Sequence, residues 1–237
     1  GIILVCPSKV ADAKMKMYNL DGSEGKMCGN GIRCVGKFLY DHGMVDINEK
    51  DEITIETLSG IKKLKAYTSG GKVNRLRVDM GKAILEPKEI PVVLDGDKVV
   101  DRPVEIAGKN YNITCVSMGN PHCVVFMDDI DNLDIETVGP EFENDKLFPE
   151  RVNTEFVTVL DDHTIKMRVW ERGSGETWAC GTGACAVAVA ACENGFCKKG
   201  EDIKIKLKGG DLIINYTDET VYMTGNAEKV FEGEVEV

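Results

Sequence analysis

The chain has 237 residues, 43% hydrophobic and 29% charged, the make-up of a folded globular protein of one large domain or two small ones. Its 40 acidic and 29 basic side chains leave a net charge of −11, which argues against a nucleic-acid partner because phosphate contacts need surplus Lys and Arg. The uncharged stretch 177–192 is too short and too weakly apolar to span a bilayer, and no signal-peptide pattern opens the chain.

The first residues, GIILVC, predict a buried strand already under way at Gly1. In MYNLDGSEG, Asn19 ahead of Asp21 and Gly22 reads as a turn residue. CGNGIRCVGKFLYDHG, residues 28–43, predicts a helix over 31–42. Ile32, Val35 and Leu39 share one face with Phe38 beside them, and Gly43 stands at the C-cap. The runs EITIETL, RLRVDM, CVVFM, TEFVTVL and TIKMRVW then alternate as strands between Gly, Asp and Asn clusters. GPEFEND, residues 139–145, predicts a short helix among them. ACGTGACAVAVAACENG predicts a second long helix over 183–193, apolar all round and ended by Gly195. DIKIKL, DLIINY and TVYMT close the chain as strands.

The two long helices open matching halves. With Cys28 set on Cys180, Gly29 meets Gly181, Gly31 meets Gly183, Val35 meets Val187 and Gly43 meets Gly195. ITIETLSGIKKLKA with RLRVDMGKA resembles IKIKLKGGDLIINY with TVYMTGNAE. A repeat at half the chain length means a duplicated unit. The expected fold is α+β, with two pseudo-symmetric domains, each a mostly antiparallel curved sheet or barrel around a central apolar helix. Their expected extents are 1–112 and 113–237, with the final strand able to return to the first.

Nine cysteines, none in a C-x-x-C pair, predict free thiols in a reducing compartment. Seven of them (Cys6, Cys34, Cys115, Cys123, Cys185, Cys192 and Cys197) read as small apolar side chains. Cys28 and Cys180 differ, because each precedes a Gly-x-Gly that opens a helix. A helix N-terminus presents unpaired N–H groups and partial positive charge, and glycine lets an anion approach them closely. Each motif is therefore expected to hold a carboxylate and to lower the pKa of its thiol. Two such thiols, one on each side of an α-carbon, suit inversion of a stereocentre. One removes the α-proton and the other returns a proton to the opposite face. The x4 and x5 spacings between neighbouring cysteines do not match zinc ligand pairs, and no Lys-Ser or Lys-Thr follows the glycines as in a phosphate loop. The expected metal content is none.

The motifs MYNLDGSEGKMCGNGIRC, SMGNPHCVVF, RVNTEFV and WERGSGETWACGTGACA, in this order, closely resemble the diaminopimelate epimerase family. Proline racemases and phenazine-type isomerases share the fold but typically carry a His where this chain has Asn30. The resemblance implies a cytoplasmic, cofactor-independent epimerase, homodimeric, that interconverts LL- and meso-diaminopimelate for lysine and peptidoglycan synthesis, with no nucleic-acid or membrane partner. It implies Cys28 and Cys180 as acid/base thiols. Gly29, Asn30, Gly181 and Thr182 would bind the reacting carboxylate. Asn19, Asn120, Asn153, Glu171 and Arg172 would contact substrate, with His122 and Glu171 tuning the catalytic groups. It also implies that family members carry a few dozen residues before the point matching Gly1, supplying an early strand and a further substrate-binding Asn. On the residues alone, Asn19 and Asn120 are equally turn residues, Asn153 a strand-start cap, His122 a structural histidine and Arg172 half of a surface pair. The alternatives from other classes are a proline or hydroxyproline racemase of the same fold and an inactive amino-acid-binding fragment.

Overall fold

Three parallel strand pairs, each bridged by a helix, organise this chain in a computed structural model that describes residues 1–19, 22–47 and 52–236. Parallel neighbours cannot be joined by a tight turn, so a crossover element must carry the chain back. The structure groups residues into two units, Gly1–Val78 with Thr224–Val237, and Asp79–Met223.

In the first unit, β1 (Ile2–Cys6) pairs antiparallel with β2 (Ala13–Tyr18), which carries the short β3 (Glu24–Gly25) at its end. Helix α1 (Gly29–Asp41) then crosses over, so that β4 (Ile53–Thr57) runs parallel to β2. Strands β5 (Gly60–Ser69) and β6 (Lys72–Gly81) follow as antiparallel neighbours. The α1 face of Ile32, Val35 and Leu39 is buried. A Cβ on Gly36 would lie 2.6 Å from Leu76 and 2.8 Å from Leu64, so glycine is what lets the helix sit this close to β5 and β6.

In the second unit, a 3-10 turn (Pro87–Glu89) precedes β7 (Arg102–Ile106), β8 (Lys109–Ser117) and β9 (Pro121–Phe126). Helix α2 (Ile135–Glu143) leads to β10 (Asn153–Asp161), which pairs parallel with β9 and antiparallel with β11 (Thr164–Glu171). After β12 (Gly175–Thr177), helix α3 (Gly181–Glu193) crosses over, and β13 (Asp202–Leu207) runs parallel to β11. Strand β14 (Gly210–Tyr216) follows, then β15 (Val221–Asn226), whose residues from Thr224 on are grouped with the first unit, and the strand order is β15-β14-β13-β11-β10-β9-β8-β7. Residues Gly183 to Ala191 of α3 are all buried, and their alanines keep the helix thin enough for strands to close around it. A further core gathers Phe142, Phe148, Phe156, Ile113 and Ile135 under α2.

The duplication is therefore visible strand by strand. β1, β2, β3, α1, β4 and β5 recur as β10, β11, β12, α3, β13 and β14, with the same parallel and antiparallel pairings. Each repeat also closes its hairpin on a two-residue loop, pairing Thr57 with Gly60 and Leu207 with Gly210. The fold is α+β, mostly sheet with few helices, built as two pseudo-symmetric halves.

Several expectations change. The boundary falls at Val78 rather than 112, because β7 and β8 pair into the sheet of β9 and so belong with the second unit. β1 is a terminal strand of its sheet, and Ile2 is 58% and Leu4 39% exposed, so it is not fully buried. Phe38, at the flank of that face, is 42% exposed. The short helix starts four residues earlier than expected, because Asp134 caps it by accepting the Thr137 N–H. Asp21, part of the turn expected after Asn19, lies outside the described residues.

Candidate active site

Cys28 and Cys180 take the same local form. Each is the N-cap of its helix in extended backbone, with φ −128° and ψ 115° at Cys28 and φ −118° and ψ 111° at Cys180. The sulfur accepts the N–H three residues on, Gly31 at 3.3 Å and Gly183 at 3.4 Å. A cysteine here replaces the usual Ser, Thr or Asp cap. It places sulfur against the positive end of the helix dipole. Gly29 and Asn30 form the first turn behind Cys28, as Gly181 and Thr182 do behind Cys180.

The second unit assembles a connected polar group around Cys180. Thr182 Oγ1 lies 3.5 Å from the sulfur, and Asn120 Nδ2 donates to that hydroxyl at 3.3 Å. Asn120 Oδ1 lies 3.1 Å from His122 Nε2, and His122 Nδ1 lies 2.7 Å from Glu155 Oε1. His122 and Glu155 are both fully buried on the neighbouring parallel strands β9 and β10, two positions out of register, His122 pairing with Asn153 and Glu155 with Val124. Burial pushes the Cys180 thiol well above its ordinary value, and the Glu171 and Glu155 carboxylates add to it. The Thr182 hydroxyl and the Gly183 N–H pull in the other direction. This direction is opposite to the expectation that the helix terminus lowers the Cys180 pKa. Taking a thiolate out of water is the largest influence on this thiol, ahead of the two hydrogen bonds that favour the thiolate.

The remaining predicted residues fall into smaller groups. Asn153 is buried and spans two strands, its Nδ2 donating to Pro121 O at 2.7 Å and its Oδ1 accepting the Arg172 N–H at 3.0 Å. The Arg172 guanidinium donates through one nitrogen to Glu150 O at 2.8 Å. Glu171 accepts a short hydrogen bond from the Thr177 hydroxyl across the β11–β12 pair. Asn19 sits in an exposed turn, where its Nδ2 donates to Ser23 Oγ at 3.0 Å and its backbone pairs with Ser23 and Gly22. Asn19 and Asn153 thus both make the structural contacts that their residue types suggest.

Two residues escaped the sequence reading. Glu155 holds His122, and its signal was an acid inside the apolar run NTEFVTV. Glu143, 6% exposed at the end of α2, accepts from Trp170 Nε1, Arg151 and the Gly173 N–H. Nothing local distinguished it from a surface acid. Among the described residues, no group of three or more His, Cys, Asp or Glu is placed to hold a metal ion, and no helix is long and apolar enough to cross a membrane. All nine cysteines are free thiols.

Comparison with known proteins gives this arrangement its context. The chain is 53% identical over 239 residues to a diaminopimelate epimerase of Acetivibrio thermocellus, covering all of this chain and 84% of that protein. It is 51% identical over 239 residues to one of Methanococcus maripaludis, with the same coverage. Among solved structures it resembles a probable proline racemase of Agrobacterium radiobacter at TM-score 0.71 and 17% identity, covering 94% of this chain and 72% of that one. A phenazine biosynthesis protein of the PhzF family from Bacillus anthracis matches at TM-score 0.66 and 19% identity, covering 99% and 84%. These two likenesses speak for the fold. The sequence model of diaminopimelate epimerase matches residues 1–86 and 114–230, and the chain belongs to the diaminopimelate epimerase family of isomerases.

Proposed function

We propose that this chain interconverts LL- and meso-diaminopimelate without a cofactor, using Cys28 and Cys180 as paired acid/base thiols. The observation that carries the reading is the repeated cap, two cysteines whose sulfurs accept a glycine N–H at the start of duplicated helices. Helix N–H groups behind each cysteine hold the reacting carboxylate. One sulfur, as thiolate, takes the α-proton. The electron pair left on carbon spreads into the carboxylate as an enediolate, which the same N–H groups stabilise. The other thiol then gives its proton to the opposite face and becomes the thiolate. Net proton count is unchanged, and the reverse reaction swaps the roles. The neutral Cys180 thiol fits the acid in one direction.

The second amino-acid end of the substrate needs its own recognition. Arg172 spends one N–H on Glu150 O and has further guanidinium donors for a carboxylate. Asn19, Asn120 and Asn153 add amide donors, and Glu171 supplies an acceptor for an ammonium group. The free thiols fit a cytoplasmic, reducing setting. A homodimer belongs to the same reading through the family resemblance.

The test is exchange of α-hydrogen for solvent deuterium. The reading expects exchange into both LL- and meso-diaminopimelate and none into proline or hydroxyproline. Exchange into proline alone would make the chain a racemase of cyclic amino acids. Binding of diaminopimelate without exchange would make it a binding protein.

A further inference from the structure

The hydrogen-bond chain that ends on Cys180 starts from a side chain that the reaction above does not use. Glu155 is fully buried, one oxygen is held by His122, and its Oε2 has no hydrogen-bond partner. It also approaches the catalytic turn closely. A Cβ at Gly183 would lie 2.5 Å from Glu155 Oε1 and 3.2 Å from Cys180 Cβ, so the carboxyl lies directly against the glycine whose N–H binds the sulfur.

The rules of donor and acceptor give this chain a direction. An amide nitrogen only donates and an amide oxygen only accepts. Asn120 Nδ2 donates to Thr182 Oγ1, so Asn120 Oδ1 faces His122, and His122 Nε2 must carry a hydrogen. His122 Nδ1 and Glu155 Oε1 then share one further proton, and the pair is neutral overall whichever atom holds it. Burial pushes Glu155 upward, in the sense that keeps this proton in the pair, with the Glu171 carboxylate adding to the effect and His122 opposing it. Thr182, having accepted from Asn120, keeps its own hydrogen to give to the sulfur. Removing the shared proton would leave His122 Nδ1–H donating to the carboxylate and Nε2 as an acceptor. The Asn120 amide would then have to turn over, and the Thr182 hydrogen would be drawn away from the sulfur.

We propose that Glu155 is a positioning residue, which acts through His122 to hold the Asn120–Thr182 chain in the direction that donates to the Cys180 sulfur. The proposal rests on Cys180 being an acid/base thiol, and the experiment separates the two ideas. Loss of halide from a β-halogenated diaminopimelate needs only one α-proton abstraction, because the C–H electron pair expels the halide. Cys28→Ser leaves Cys180 as the only abstracting thiol, and Cys180→Ser leaves Cys28. Glu155→Leu is placed in each background.

In the Cys28→Ser background, Glu155→Leu is expected to lower kcat by about tenfold or more, with KM moving less than about twofold, as for loss of an outer hydrogen-bond partner. Glu155→Gln can donate to His122 Nδ1 and preserve Nε2–H, so it is expected to recover most of that loss. In the Cys180→Ser background, Glu155→Leu is expected to change kcat by less than about twofold. Equal losses in both backgrounds, no loss with Cys28→Ser, or no recovery by glutamine would overturn the role of Glu155. If neither parent variant eliminates halide from either isomer, the two-thiol reading fails instead and takes this proposal with it. Should the leucine variant lose its far-ultraviolet circular dichroism, Glu155→Asp, too short to reach His122, carries the same comparison.

Discussion

Glu143 Oε1 accepts the Gly173 N–H at 2.9 Å, which ties the end of α2 to the turn that carries Arg172. The same carboxylate accepts Trp170 Nε1 at 2.7 Å and Arg151 at 3.0 Å, and it is buried. Glu143→Ala would leave a half-buried indole N–H without its partner and release the turn. The expected cost is about 2–3 kcal/mol, from hydrogen bonds to a charged group left unmade. Urea unfolding measures it, and a loss under about 0.5 kcal/mol would place Glu143 among ordinary surface acids.

The glycines that follow the two cysteines are not equivalent. At Gly183 an added methyl meets the buried, hydrogen-bonded Glu155 carboxyl, which cannot move without breaking its bond to His122. At Gly31 it meets the far end of the Ile3 side chain, which is half-buried and can turn aside. Gly183→Ala is expected to destabilise by about 1–3 kcal/mol through overpacking. Gly31→Ala is expected to change stability by less than about 1 kcal/mol, because alanine's better helix propensity offsets the contact. Paired thermal melts of the two variants decide the matter, and equal shifts would refute the distinction.

Alkaline pH tests two thiols, half-buried Cys192 and buried Cys197. Burial raises Cys192 from its ordinary 9.0 to about 12 and Cys197 to about 11. Below pH 9 both thiols are protonated whether the chain is folded or not, and they leave stability unchanged. Between 9 and 11 the unfolded chain sheds these protons and the folded chain keeps them, so stability falls as pH rises. The melting temperature should drop across that window. The drop should be shallower in Cys197→Ala, and an identical slope would remove Cys197 from the account.

Arg172 offers a planar fork for the distal carboxylate in the proposed reaction. Lysine cannot make two parallel bonds to a carboxylate, so Arg172→Lys is expected to weaken diaminopimelate binding by about 1–3 kcal/mol. Calorimetric titration reads this directly. Unchanged affinity would leave the side chain with its Glu150 contact as its whole role.

Much of this molecule was determined by local sequence. The caps at Cys28 and Cys180, the hairpin loops before Gly60 and Gly210, and the buried face of Ile32, Val35 and Leu39 depend on residues within a few positions of each other. Such features follow from hydrogen-bond geometry and side-chain period alone, and for that reason the duplication could be read before any coordinates. The tertiary structure decided what depends on distant partners. Glu155 meets His122 across 33 positions and Glu143 meets Gly173 across 30, through strand and helix neighbours that no local pattern specifies. It also decided how far Cys180 is withdrawn from solvent. The helix terminus was legible in the Cys-Gly-Thr-Gly motif, but the burial that raises the thiol comes from strands folded around α3. Solvent exclusion is a property of the whole packed unit, and a sequence window does not contain it.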